Sequence, residues 1–167
     1  MSLFATKTEE SFFNFFNDRG RLIRKIELEN SPDFIVDGQF LFEVKEINSS
    51  GTAIVISGLT IQKINVINVI NKYLIDANKK INNYRKLQQE KSIFALVIYN
   101  SRYFTWDKVR DAFSSCDIEK YSNINNLIYA GYNKPSNQTR ALHIFKNKSS
   151  GVNMDISVFK NLNVKIY

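Results

Sequence analysis

The segment between Ile61 and Tyr99 constrains this chain more than any other. Apolar residues recur at Ile64, Ile67, Ile70, Leu74, Ala77, Ile81, Tyr84 and Leu87, and then run without a break through Ile93-Phe-Ala-Leu-Val-Ile-Tyr99. Steps of three and four put side chains on one stripe of a helix, so the spacing predicts a long amphipathic helix from about Ile61 to Gln89. An uninterrupted apolar run of strand length is what a strand buried on both faces requires. A long helix feeding such a strand belongs to an α/β layered domain.

The flanking sequence supplies the other layers. Thr8 is expected to cap a first helix with Phe12, Phe13 and Phe16 on its apolar face, ended by Gly20. Leu22 to Leu28 alternates apolar and charged residues and reads as a strand. Phe34-Ile-Val36 and Phe40 to Ile47 read as two more, joined across Asp37-Gly38, a strong hairpin signal. Thr52 to Ile56 predicts a further strand ending at Gly58. Beyond the apolar run, Trp106 to Phe113 reads as a short helix and Asn126 to Tyr132 and Ala141 to Lys146 as strands, with edge strands expected over Met154 to Phe159 and Leu162 to Ile166. The expected fold class is α/β with a central mixed sheet flanked by helices, in the order helix, three strands, helix, strand, then a short helix and further strands.

At 167 residues the chain is the size of one domain. Its single cysteine, Cys116, excludes an internal disulfide and points to a reducing compartment. No apolar run approaches the ~18–20 residues needed to span a bilayer. The first ten residues hold no apolar core of a secretory signal, so a cytoplasmic protein without a membrane partner is expected. Net charge is +7, which favours a polyanionic partner through attraction and counterion release. Charge alone does not specify nucleic acid: 16 Lys against 7 Arg, with 20 Asn and 20 Ile, is also what an A/T-rich coding sequence produces.

The chemistry-bearing stretch is Ser31-Pro32-Asp33-Phe-Ile-Val-Asp37-Gly38-Gln-Phe-Leu-Phe42-Glu43-Val44-Lys45. Residues two apart on a strand share a face, so Glu43 and Lys45 point one way and Phe40, Phe42 and Val44 the other. Leu41 and Ile47 flank the charged pair on its own face, which implies that both sides of the strand are covered. Charges placed there cost several kcal/mol unless they are paired or bind a metal. A two-residue turn at Asp37-Gly38 would set Asp33 opposite Phe42, whereas a three-residue turn over Asp37-Gly38-Gln39 would set it opposite Glu43. We expect the three-residue register or an equivalent bulge. Two adjacent carboxylates repel and raise a pKa unless a divalent cation lies between them, and hard oxygen ligands suit Mg²⁺ or Mn²⁺. A neighbouring ammonium then orients or deprotonates an attacking water, or offsets charge developing on a phosphate.

Pro32-Asp33 followed by Glu43-Val44-Lys45 resembles the signature of the PD-(D/E)XK nuclease superfamily, whose core of helix, three strands, helix and strand is similar to the order read above. The resemblance implies a restriction-endonuclease-like core over about residues 9–132, with a C-terminal extension over about 140–167. It implies that Asp33 and Glu43 bind the metal, that the Val44 carbonyl adds a ligand, and that Lys45 assists the attacking water. A further acid on the first helix would be Glu9 or Glu10, and Glu9 shares a face with Phe12, Phe13 and Phe16. Ala77-Asn78-Lys79-Lys80-Ile81 is similar to the family's Ala-x-Lys-Gln-Leu segment, but with Lys80 in the glutamine position, which suggests Lys80 as a phosphate contact. The implied activity is hydrolysis of phosphodiester bonds, in DNA by resemblance, and a homodimer would present two sites to two strands. The alternative is an ordinary salt-bridged hairpin in a non-catalytic basic nucleic-acid-binding module, a decayed nuclease or an adaptor.

Other candidates carry less. His143, the only histidine, lacks suitably spaced partners for a zinc site or a triad and reads as a strand residue with satisfied hydrogen bonds. Cys116 has neither a second cysteine nor a local histidine to make it a nucleophile. No glycine-rich phosphate loop occurs. Basic residues cluster at Lys79, Lys80, Arg85, Lys86 and Lys91 and again at Lys134, Arg140, Lys146 and Lys148; each alone reads as solvated surface, and together they would form a groove. Tyr99, Tyr103, Tyr129 and Tyr132 are candidates for stacking on unpaired bases.

Overall fold

In the computed structural model, which describes residues 3–47, 58–87, 93–100, 106–133, 138–150, 159–160 and 162–167, the first helix is capped by Thr6 rather than Thr8. The Thr6 side chain accepts the Glu9 N–H at 3.1 Å, and the Glu9 carboxylate reaches back to the Ala5 N–H at 3.1 Å. The Thr6 hydroxyl satisfies one of the donors that a helix start leaves orphaned, and the Glu9 carboxylate ties down the residue before the cap. Helix α1 (Lys7–Asn17) therefore begins two residues earlier than expected, and Thr8 is buried within it. Its buried face is Phe12, Phe15 and Phe16; Phe13 is only partly buried, against Phe4 at 5.0 Å between ring centroids. The chain turns away through Gly20 at φ +74°, a conformation glycine adopts without penalty.

Strand β1 (Ile23–Lys25) is shorter than the alternation implied, and the flanking Leu22 and Leu28 are exposed. Strands β2 (Phe34–Val36) and β3 (Phe40–Ile47) form the expected hairpin, with Val36 facing Phe40, Ile35 facing Leu41 and Phe34 facing Phe42. Three residues, Asp37 to Gln39, make the turn. Asp37 and Gly38 both take positive φ, 51° and 73°, and the Gln39 N–H donates to the Val36 carbonyl at 3.2 Å. Glycine supplies only half of this left-handed turn. Asp37 tolerates the other half because its carboxylate accepts the Leu22 N–H at 3.2 Å and pairs with Arg21 at 3.3 Å.

Helix α2 (Gly58–Leu87) then crosses to β4 (Ile93–Asn100), parallel to β3, and α3 (Trp106–Ser115) crosses to β5 (Asn126–Asn133), parallel to β4. Gly58 belongs to this helix, and the strand expected over Thr52 to Ile56 lies outside the described residues, as do Lys91, Tyr103 and Lys134. Strand β6 (Gln138–Lys146) pairs antiparallel with β5, and β7 (Val164–Ile166) closes the far edge parallel to β6. The result is a mixed α/β fold with one seven-stranded sheet in chain order. Phe159 sits buried in a tight turn instead of ending a strand; residues 151–158, the start of that expected strand, are not among those described.

Alternation along β3 divides the core. Phe40, Phe42 and Val44 pack with the α1 phenylalanines, whereas Leu41 and Ile47 pack with Ile70, Leu74, Ala77, Ile81 and Tyr84 of α2 and with Phe113 of α3. Tyr129 belongs to this second core, 5.3 Å from Phe113 ring to ring, so it does not stack on bases. No helix among the described residues is long and apolar enough to cross a membrane.

After β6, the buried Asn147 amide donates to the carbonyls of Ile118, Tyr121 and Ile124 at 2.8–3.1 Å. These groups close the irregular segment that leads into β5. Asn147→Ala strands carbonyls away from water and is expected to cost about 1–3 kcal/mol, read from urea unfolding midpoints.

Candidate functional site

Residue 32 would oppose Val44 if the β2–β3 pairing continued beyond Phe34–Phe42. Pro32 has no N–H to give the Val44 carbonyl, so the ladder cannot continue as a normal pair. The Asp33 carboxylate takes over, accepting the Val44 N–H at 2.8 Å. Extending the same register sets Asp33 opposite Glu43, on the face that carries Leu41 and Ile47.

Glu43 is 1% exposed. One of its oxygens, Oε1, meets Lys80 Nζ at 2.6 Å and Lys45 Nζ at 3.1 Å; the other, Oε2, is buried without a hydrogen-bond partner among the described residues. Asp76 closes the cluster, with Oδ2 at 2.7 Å from Lys45 and 3.5 Å from Lys80. Tyr73, three residues before Asp76, lies under Lys45, whose Nζ is 5.9 Å from its ring centroid, and its hydroxyl donates to the Glu46 carbonyl at 2.7 Å. Tyr73, Asp76 and Lys80 follow the helical steps of three and four, so one face of α2 lies over the charged face of β3.

The electrostatics match this geometry. Burial, then the neighbouring charge of Glu43, pushes the Asp33 carboxyl up from 3.8 to about 7, despite the Val44 hydrogen bond. Burial works against the Lys45 charge, but the bond to Asp76 and the charge of Glu43 outweigh it, so its pKa is raised and Lys45 is an ammonium. Burial would likewise raise Asp76, but Lys45 and Lys80 outweigh it and its pKa is lowered.

Of the residues expected at the site, the fold brings together Asp33, Glu43, Val44, Lys45 and Lys80. Lys80 is an ion-pair partner of Glu43, so in this arrangement it is not a free phosphate contact. Glu9 stands apart. It pairs with Lys25 at 3.3 Å, and Lys25 is two residues from Ile23 on the α1 face of the sheet. Its charge still raises the Asp33 pKa, but its ion-pair partner among the described residues is Lys25 and not a member of the cluster, and Glu10 has no bond to the cluster among those residues. Lys79 is exposed on α2, and Arg85 and Lys86 belong to its last turn. Sequence reasoning missed Asp76 and Tyr73. The signal was there: Asp76 is the sole acid of α2 and lies four residues before Lys80.

Among the described residues no group of three or more His, Cys, Asp or Glu side chains is arranged to hold a metal. The oxygens at hand are those of Asp33 and the orphaned Glu43 Oε2, with the Val44 carbonyl deprived of its ladder donor beside them. His143 is a buried strand residue with Nδ1 2.9 Å from the Tyr167 hydroxyl, its pKa lowered by burial and then Lys165. Burial pushes the Cys116 thiol up to about 12, which leaves it a poor nucleophile. No protein-family model, no curated protein and no solved structure matches the chain.

Proposed function

We propose that this chain is a metal-dependent nuclease of the PD-(D/E)XK kind, with a restriction-endonuclease-like core, that hydrolyses phosphodiester bonds in nucleic acid, DNA by resemblance. The observation that carries the reading is the buried Glu43 carboxylate, with one oxygen unpartnered, beside a second carboxylate and an ammonium. A lone pair in a dry site calls for a cation or a proton, and Asp33, Glu43 and the Val44 carbonyl offer the hard oxygens that Mg²⁺ or Mn²⁺ prefers. When bound, such an ion would supply Lewis-acid polarisation of a phosphate oxygen and acidify water.

The chain's own residues do the rest. Pro32 and the turn at Asp37-Gly38 hold Asp33 in register with Glu43. Lys45, kept protonated by Asp76 and Glu43, acts as an ammonium that orients water and offsets charge on the phosphate, not as a base. The basic surface, including exposed Lys79, attracts the polyanion.

A second reading, a non-catalytic nucleic-acid-binding module, draws on Lys45 and Lys80 both sitting on Glu43 Oε1, since two ammoniums already neutralise that carboxylate. Incubating plasmid and single-stranded DNA with Mg²⁺ or Mn²⁺ separates the two. The nuclease reading expects cleavage by the wild-type chain, lost about a hundredfold or more in Asp33→Ala and Lys45→Ala while binding survives. Binding without cleavage by the wild-type chain under either ion supports the module.

A further inference from the structure

We propose that Lys80 is the resident counter-cation of Glu43, and that a divalent cation enters the site by displacing it. This inference rests on the metal-dependent reading and concerns how the same acids are regulated. Glu43 cannot move to meet a cation, because it is 1% exposed in the middle of the sheet. Its shortest ion pair is with Lys80, at 2.6 Å, so a cation arriving at Oε1 competes with that ammonium.

Lys80 has somewhere to go. Its side chain is 25% exposed, and Asp76, 44% exposed, stands four residues earlier on the same helix with Oδ2 at 3.5 Å. A small rotation carries the Lys80 ammonium from the buried acid to the exposed one without leaving it unpaired. Lys45 lacks that freedom, since it is already bound to Asp76 at 2.7 Å and rises from the same strand as Glu43. With the carboxylates of Asp33, Glu43 and Asp76 ionised, Lys45 and Lys80 leave a formal charge of −1, so a negative charge remains for a cation to offset even when Lys80 rests on Asp76. The buried Oε2, with no partner among the described residues, marks the acceptor that a cation would satisfy and that Lys80 leaves unmet.

Titration calorimetry of Mn²⁺ into the wild-type chain and into Lys80→Met, Lys79→Met and Lys80→Arg, without nucleic acid, tests this. Lys80→Met is expected to bind Mn²⁺ about tenfold or more tightly than the wild-type chain, because the competing charge lies within the poorly screened cluster. Lys79→Met, which removes an exposed and screened charge, is expected to change affinity by less than about threefold. Lys80→Arg is expected to stay near the wild type. Lys80→Gln repeats the measurement if the methionine variant does not fold. Equal Mn²⁺ affinity in the wild-type and Lys80 variants, or an equal gain in Lys79→Met, overturns the displacement and leaves the metal-dependent reading standing. Mn²⁺ bound by neither the wild type nor the Lys80 variants overturns both.

Discussion

At pH 8 and without divalent cations, the Asp33→Asn chain is expected to melt at a higher temperature than the wild type, although the proposed nuclease function predicts that it loses cleavage. Burial and the neighbouring Glu43 charge raise the Asp33 pKa from 3.8 to about 7. The folded chain therefore holds a proton that the unfolded chain releases between those values. The Asp33 contribution to stability is then greatest below about pH 4, declines as pH rises towards 7, and is lower by a constant amount above it. A shift of roughly three units sets an upper limit of about 4 kcal/mol at pH 8, and relaxation of the site reduces it. Asparagine removes the charge and keeps an acceptor for the Val44 N–H. A gain of about 1–3 kcal/mol corresponds to several degrees in a domain of this size. Thermal melts from pH 4 to 8 should show the wild type losing ground to Asp33→Asn across pH 4–7. Parallel curves, or a less stable variant at pH 8, would contradict the buried like-charge pair.

The largest loss of stability is expected from Phe12→Ala, about 3–5 kcal/mol. Phe12 is fully buried, with ring centroids 5.1 Å from Phe16, 5.6 Å from Phe34 and 5.3 Å from Phe42. Truncation leaves a cavity between α1 and the hairpin that the rigid aromatic neighbours cannot close. Since domains are stable by only about 5–15 kcal/mol, the loss is a large share of the total. Phe13→Ala, at a partly buried position, is the comparison and should cost clearly less. Urea midpoints measure both, and equal losses would show that the α1 face is assigned wrongly. Phe42 precedes Glu43, so the cavity also loosens the strand that carries the acid.

The hairpin was legible because its information is local. Alternation in Phe40 to Ile47 assigned Glu43 and Lys45 to one face, and the glycine turn selected the three-residue register that sets Asp33 opposite Glu43. The first helix was less legible. Thr6 and Thr8 both offer a capping hydroxyl, and the Thr6 hydroxyl accepting the Glu9 N–H, with the Glu9 carboxylate returning to Ala5, distinguishes them. Leu22 to Leu28 has a strand's alternation, but only Ile23–Lys25 finds a partner in β2, because a strand's length depends on its neighbour. Tyr129 resembled a base-stacking residue until the packing of α3 over β5 buried it.

From the sequence alone came the periods of two and three to four, the proline that interrupts the ladder beside Val44, and hence the layers and the pairing of acids across one turn. Tertiary structure decided which charges complete the site. Lys80 reaches Glu43 across 37 residues, and Asp76 joins them only because α2 lies over β3 with that face turned inward. Helical periodicity shows that Tyr73, Asp76 and Lys80 share a stripe, but not which strand lies beneath it. That choice belongs to the packing of the whole helix, where burial of Ile70, Leu74, Ala77 and Ile81 outweighs any single ion pair.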